Sequence, residues 1–233
     1  MNRIYKFLIA LFATVCLTSS AMAFSGVSVG VMFSDNDLDT YGTEHERGDA
    51  TNGDDEMAST SKSASEEVAS IFVEYTTPQG TTFGAEYFPG EAVLGSGSRT
   101  DTTTADADAG TSSVDYTAKA EVKDIISLYV EPTYMVNDMF GVYGKVGATN
   151  LKVLSLENID SGDNSANYPD DDVWGSMLGL GVKAVSPIGL FIKLETMEYN
   201  FEPIEMVSST GNGNMITADL DIQSFRAAIG YNF

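Results

Sequence analysis

The chain has 233 residues, with 34 acids against 12 bases for a formal charge of −22. The bases are scattered singly, which excludes a nucleic-acid-binding surface, because phosphate contacts need clustered Lys and Arg. A hydrophobic content of 43% with 11 Tyr and 12 Phe excludes a chain disordered throughout and sets a size of one or two domains.

Residues 1–23 read as a secretory signal peptide. Arg3 and Lys6 precede an apolar run over residues 7–17, and Ala21, Met22 and Ala23 form an A-x-A cleavage site. The run is too short to span a bilayer, which takes about 20 residues. Acylation at Cys16 is set aside, because Ala13, Thr14 and Val15 lack the small residue expected just before such a cysteine. Cleavage removes Cys16, the single cysteine, and makes the mature chain two charges more negative. The expected organisation is a leader over 1–23 and one domain over 24–233.

Eight stretches of period-two apolar residues follow, near 24–33, 68–76, 82–88, 116–136, 141–153, 173–185, 189–200 and 217–233. Long connections at 34–67, 89–115, 154–172 and 201–216 alternate strictly with short ones. The short ones are Thr77, Pro78, Gln79, Gly80; Asn137, Asp138, Met139, Phe140; and Ser186, Pro187, Ile188, Gly189. Soluble sandwiches mix their connection lengths, whereas a barrel crossing the outer membrane has short periplasmic turns and long external loops.

Charge parity within the strands carries this further. Ile71, Val73 and Tyr75 oppose Glu74; Phe83, Ala85 and Tyr87 oppose Glu86; Ile126, Leu128, Val130 and Tyr134 oppose Glu131. Val142, Val146 and Ala148 oppose Lys145; Trp174, Leu178, Leu180, Val182 and Ala184 oppose Lys183. Leu190, Ile192 and Leu194 oppose Lys193 and Glu195, and Phe225, Ala227, Ile229, Tyr231 and Phe233 oppose Arg226. Four acids and four bases thus share the face opposite the apolar row and sum to zero. A Lys or Arg facing lipid near the midplane costs about 2–4 kcal/mol, so one face meets lipid and the other the interior. A soluble sheet would show the same parity, but its solvated face in so acidic a chain should be acidic too. Asp124, Glu198 and Asp221 break the rule, and all lie far from the short turns. Tyr75, Phe83, Tyr134, Tyr231 and Phe233 fall near the short-turn ends, and Phe33, Tyr116 and Trp174 near the long-loop ends, as two interfacial girdles require.

The ending with Phe225, Ile229, Tyr231 and terminal Phe233 resembles the C-terminal insertion signal of Gram-negative outer-membrane barrels. Residues 132–147 are similar to the fifth-strand region of the small porin-like family that includes the OmpA transmembrane domain, OmpX and the opacity adhesins. The resemblance implies an integral outer-membrane protein, inserted by the barrel-assembly machinery, with no periplasmic domain expected after Phe233. The chain departs from the family in loop size and acidity, with eleven acids between Asp35 and Glu67.

Few residues suggest chemistry. His45 is the only histidine, and its surroundings at 42–48 lack a nucleophile signature. Asp35, Asp37, Asp39 and Glu46 match positions one, three, five and twelve of an EF-hand loop, but Thr40 stands where Gly is wanted. The acidic loops, Asp170, Asp171 and Asp172 included, suggest diffuse attraction of divalent cations that could bridge to lipopolysaccharide. The low-complexity run at 100–108 reads as disordered. Residues 116–136 keep one parity, with Lys119, Glu121 and Lys123 inward, and suggest a sheet protruding above the membrane as an adhesive edge.

The expected fold is all-β: an eight-stranded, antiparallel, up-and-down transmembrane β-barrel with long extracellular loops, with a ten-strand variant adding hairpins in the first two loops. Eight strands leave an interior that side chains can fill. Glu74, Glu86, Glu131, Lys145, Lys183, Lys193, Glu195 and Arg226 are expected to fill it as an ionic network. The expected role is non-enzymatic, structural or surface-interacting, with no cofactor or metal and with membrane lipid, lipopolysaccharide and an extracellular surface ligand as partners. The alternative is a narrow channel for small solutes, its selectivity set by the inward bases.

Overall fold

The computed structural model describes residues 24–47, 55–103, 112–159, 168–209 and 213–233. The leader at 1–23 lies outside them, as does the side chain of Tyr116. Nine strands form among the described residues: β1 (Gly26–Glu46), β2 (Glu56–Thr76), β3 (Thr81–Thr103), β4 (Ser112–Met135), β5 (Phe140–Ile159), β6 (Asp171–Val185), β7 (Leu190–Phe201), β8 (Ile204–Val207) and β9 (Met215–Asn232). Sequential neighbours pair antiparallel, β7 pairs with β9, and β9 returns to β1 from Ser28↔Asn232 to His45↔Met215, which closes an eight-stranded barrel. The ninth strand, β8, is a short flap paired to the outer end of β9. The extra strand is therefore in the last connection, not in the first two.

The short turns form as their residues dictate. Gly80 and Gly189 take positive φ and donate back to the carbonyls of Thr77 and Ser186, both at 3.0 Å. The Asn137 side chain accepts from the amides of Met139 and Phe140, each at 2.9 Å.

The long connections differ from expectation. Most of the residues read as loop at 34–67 and 89–115 continue the strands. β1 and β2 pair in unbroken register up to Glu46↔Glu56, and β3 with β4 up to Thr103↔Ser112. The Ser- and Thr-rich composition that suggested loop also suits an extended ladder, because short hydroxyls bond across strands. Ser63 donates to Asp39 at 2.6 Å and Ser65 to Asp37 at 3.2 Å. Within the low-complexity run, Thr100–Thr103 end β3 rather than being disordered, and 104–108 lie outside the described residues.

Two zones follow from the side-chain pattern. Near the short turns the outward row is apolar: Val29, Val31, Ile71, Val73, Leu128, Val146, Leu180, Ile192 and Ile229 are all exposed. Tyr75, Phe83, Tyr134, Tyr231 and Phe233 form the lower aromatic belt, and Phe33, Trp174 and Phe225 the upper one. Farther out the polarity inverts. On β1, Asp35, Asp37 and Asp39 continue outward from Phe33, while Leu38 turns inward and is buried. Glu198, Asp221 and Asp124 likewise face outward, above the apolar belt. Hydrocarbon outside favours apolar side chains there, and water outside favours charged ones, so one continuous ladder obeys both rules at different heights.

The single parity expected for 116–136 is corrected. Asp124 takes φ 53° at a bulge between Lys123 and Ile126, and the register shifts there. Above it Val122 is buried and Ala120 packs inward. Lys119 and Glu121 pair with each other.

Candidate functional site

The ordered chemistry of the barrel lies in its lumen, where alternate residues of every strand converge. Lys193 on β7 reaches Glu74 on β2 at 2.5 Å and Glu131 on β4 at 2.8 Å. Lys145 on β5 reaches Glu131 at 3.5 Å and Glu195 on β7 at 2.7 Å. Arg226 on β9 reaches Glu195 at 3.1 Å and pairs with Glu86 on β3. The result is one alternating chain of acid and base, Glu74, Lys193, Glu131, Lys145, Glu195, Arg226, Glu86, that crosses the lumen. The side chains of Glu74, Glu131, Lys145, Lys193 and Glu195 have 0% exposure, so bulk solvent does not reach the chain at its centre.

Lys183 stands apart. It is directly opposite Lys193 across β6 and β7. Lys193 takes Glu74 and Glu131, and among the described residues Lys183 makes no ion pair. Its ammonium lies over the Phe191 ring, 4.6 Å from the centroid. The inward charges form a connected chain with one outlier rather than four separate pairs.

Neutral partners complete the network. Tyr129 donates to Glu74 and Tyr143 to Glu195, both at 2.8 Å. Arg226 donates to Tyr199 at 2.8 Å and to Ser34 at 3.1 Å, and Ser70 donates to Glu86. Lys145 also sits over the Tyr129 ring at 4.4 Å. The tyrosines reach across because glycine faces each of them: Gly84 opposes Tyr129, and Gly181 opposes Tyr143. These tyrosines were missed in the sequence, although Tyr129 and Tyr143 share parity with Glu131 and Lys145.

Apolar layers cover the network on both sides. Met32, Phe72, Val185, Phe191 and Ala228 cluster toward the short turns, with Phe24 packed against them. Toward the outer end Leu38, Val122, Leu151, Val153, Leu220 and Ile222 form a second cluster. Tyr168 and the flap residues Ile204 and Met206 join it from above. The Tyr168 hydroxyl donates to Glu44 at 3.1 Å. This outer core was not foreseen. Its signal is the appearance of aliphatic residues on the inward parity farther from the turns.

The other candidate chemistry is not assembled. Asp35, Asp37 and Asp39 lie on the outward face of an extended strand, so they cannot wrap an ion as an EF-hand loop does. Among the described residues no group of three or more His, Cys, Asp or Glu is placed to hold a metal. His45 lies at the outer tip of β1, with Nε2 at 3.4 Å from Asp55. Phe225, Ile229, Tyr231 and Phe233 all face outward, and the rings of Tyr231 and Phe233 meet edge-on at 5.1 Å.

Residues 7–233 match the family model described as the outer membrane protein beta-barrel domain. The chain belongs to that family. It is a β-barrel of the Gram-negative outer membrane, surrounded by the lipid of that membrane. Among solved structures it is similar to Neisserial surface protein A at 10% identity, covering 90% of this chain and 98% of that one, with a TM-score of 0.46. OprG from Pseudomonas aeruginosa is 10% identical over 92% of this chain and 99% of its own, with a TM-score of 0.45. Ail, the attachment invasion locus protein of Yersinia pestis, is 9% identical over 87% and 99%, with a TM-score of 0.34. No curated protein matches the chain.

Proposed function

We propose that this family member is a sealed, non-enzymatic barrel with a structural or surface-interaction role. The observation that carries the reading is the unbroken chain from Glu74 to Glu86, buried between two apolar layers. A permanent aqueous path would have to break ion pairs that hold the lumen in low dielectric, where losing one partner is strongly unfavourable. The acidic outer wall, with Asp35 directly opposite Glu67 and Asp39 opposite Asp221, supports a role in presenting charge at the cell surface. Residues 1–23 serve in this reading as an export leader, and Phe225, Ile229, Tyr231 and Phe233 as the signal for barrel insertion.

The test is conductance of the refolded protein in a planar bilayer. A sealed barrel is silent. Steady openings at constant voltage would overturn the reading in favour of a narrow channel in which the inward Lys145, Lys183, Lys193 and Arg226 set selectivity.

A further inference from the structure

We propose that Met57, His45 and Met215, aligned across the outer tips of three neighbouring strands, form a surface site for a soft monovalent cation, Cu(I). β1 pairs with β2 along one edge and with β9 along the other. In these two ladders His45 lies directly opposite Met57 and directly opposite Met215. Opposed residues of an antiparallel pair point to the same face, with Cβ atoms about 4.5–5.5 Å apart. The three side chains therefore stand in one row, which Val207 on β8, opposite Met215, extends. The row is on the outward face: Tyr41, on the parity of His45, is exposed, and so is Met57.

The donor set selects the ion. Thioether sulfur is a soft ligand that favours Cu(I) over hard divalent ions, and imidazole binds copper equally well. Zn(II) would need further nitrogen or oxygen donors beside His45, and among the described residues no three His, Cys, Asp or Glu gather there. The rotatable bonds of methionine let each sulfur swing toward the imidazole from its own side. The next outward row below is Ser59, Thr43 and Thr217, whose short side chains leave the thioethers room to fold over the ladder.

The surroundings hold the ligands in place. Nε2 of His45 lies 3.4 Å from Asp55, which leaves Nδ1 as the metal donor. A carboxylate behind a ligating imidazole fixes the ring and raises its basicity. Asp55 also supplies the negative charge that three neutral donors lack. Beyond the row, the Arg47 amide donates to the Asn214 side chain at 3.1 Å, which ties the tips of β1 and β9 together. Ligands held in register before the ion arrives lose less freedom on binding it. His45, Met57 and Met215 are widely separated in sequence, and only the register brings them together.

The test uses the full-length chain with Cys16→Ser, which removes its single thiol, refolded into phosphatidylcholine vesicles without oxygen. Cu(I) is titrated against bicinchoninate, a coloured chelator that competes for it. The barrel is expected to withdraw one equivalent of Cu(I), and excess Zn(II) should not displace it. His45→Ala should abolish the withdrawal, while Met57→Leu and Met215→Leu, which keep the side-chain volume, should each weaken it about tenfold. Met139→Leu removes an exposed methionine at the opposite end and should change nothing. Heat-modifiable gel mobility reports that each variant is folded. Copper-edge X-ray absorption of the parent Cys16→Ser protein, which needs no ligand variant, should show both sulfur and imidazole neighbours. Failure to compete with the chelator, a shell without sulfur, displacement by Zn(II), or an affinity that either Met57→Leu or Met215→Leu leaves unchanged would overturn the site. So would an equal loss in Met139→Leu, which would mark the binding as adventitious.

Discussion

The ring of Tyr143 lies against the backbone of Gly181 on the neighbouring strand so closely that a Cβ built there would come within 2.4 Å of it. This contact lays the tyrosine across β6 and brings its hydroxyl to Glu195. Gly181→Ala should therefore tilt the ring and break that hydrogen bond, a loss of about 1–3 kcal/mol typical of overpacking. Gly84→Ala should act in the same way on Tyr129, whose ring comes within 2.3 Å of the added carbon. Urea unfolding of the barrel in vesicles, followed by its heat-modifiable gel mobility, measures both.

Lys183 and Lys193 are cross-strand neighbours with unequal roles. Lys193→Met leaves Glu74 and Glu131 without their shared cation, and removing one partner of a buried pair costs about 3–5 kcal/mol. Lys183→Met removes a cation held over a ring and should cost no more than about 1–2 kcal/mol. The same urea transition compares them, and equal destabilisation would show that the network is not organised around Lys193.

The membrane boundary predicts position-dependent tolerance to charge. Leu180→Arg places a charge on an outward, 62% exposed position within the apolar belt and should destabilise by about 2–4 kcal/mol. Asp37→Arg, on the outward face above Phe33, should change stability by about 0.5 kcal/mol or less, as surface substitutions do. Refolding yield into vesicles and the unfolding midpoint provide the comparison.

The close approach of Lys62 on β2 to Gly95 on β3 can be fixed chemically. A Cβ on Gly95 lies 4.0 Å from Cβ of Lys62, inside the roughly 3.5–4.5 Å span of a disulfide. The double variant Lys62→Cys with Gly95→Cys, made with Cys16→Ser, should oxidise in air to a species resistant to thiol labelling. Persistent free thiols would show that the two edges stay apart at that height.

Much of the lower barrel was legible in the sequence because lipid imposes a rule that a single strand displays by itself. An apolar residue at every second position near a short turn, with the charges between, identified Glu74, Glu86, Glu131, Lys145, Lys183, Lys193, Glu195 and Arg226 as one face before any partner was known. That local alternation also marked the short turns and the aromatic ends. Tertiary structure alone decided who pairs with whom, since strand tilt and register bring Glu74 to Lys193 over 119 residues of chain and leave Lys183 aside. It also decided that the acidic runs are strand rather than loop, that Asp124 bends β4, and that β2 and β3 part above Tyr87. Parity is a property of one chain segment, whereas pairing and cavities depend on distances between segments, which period two does not encode.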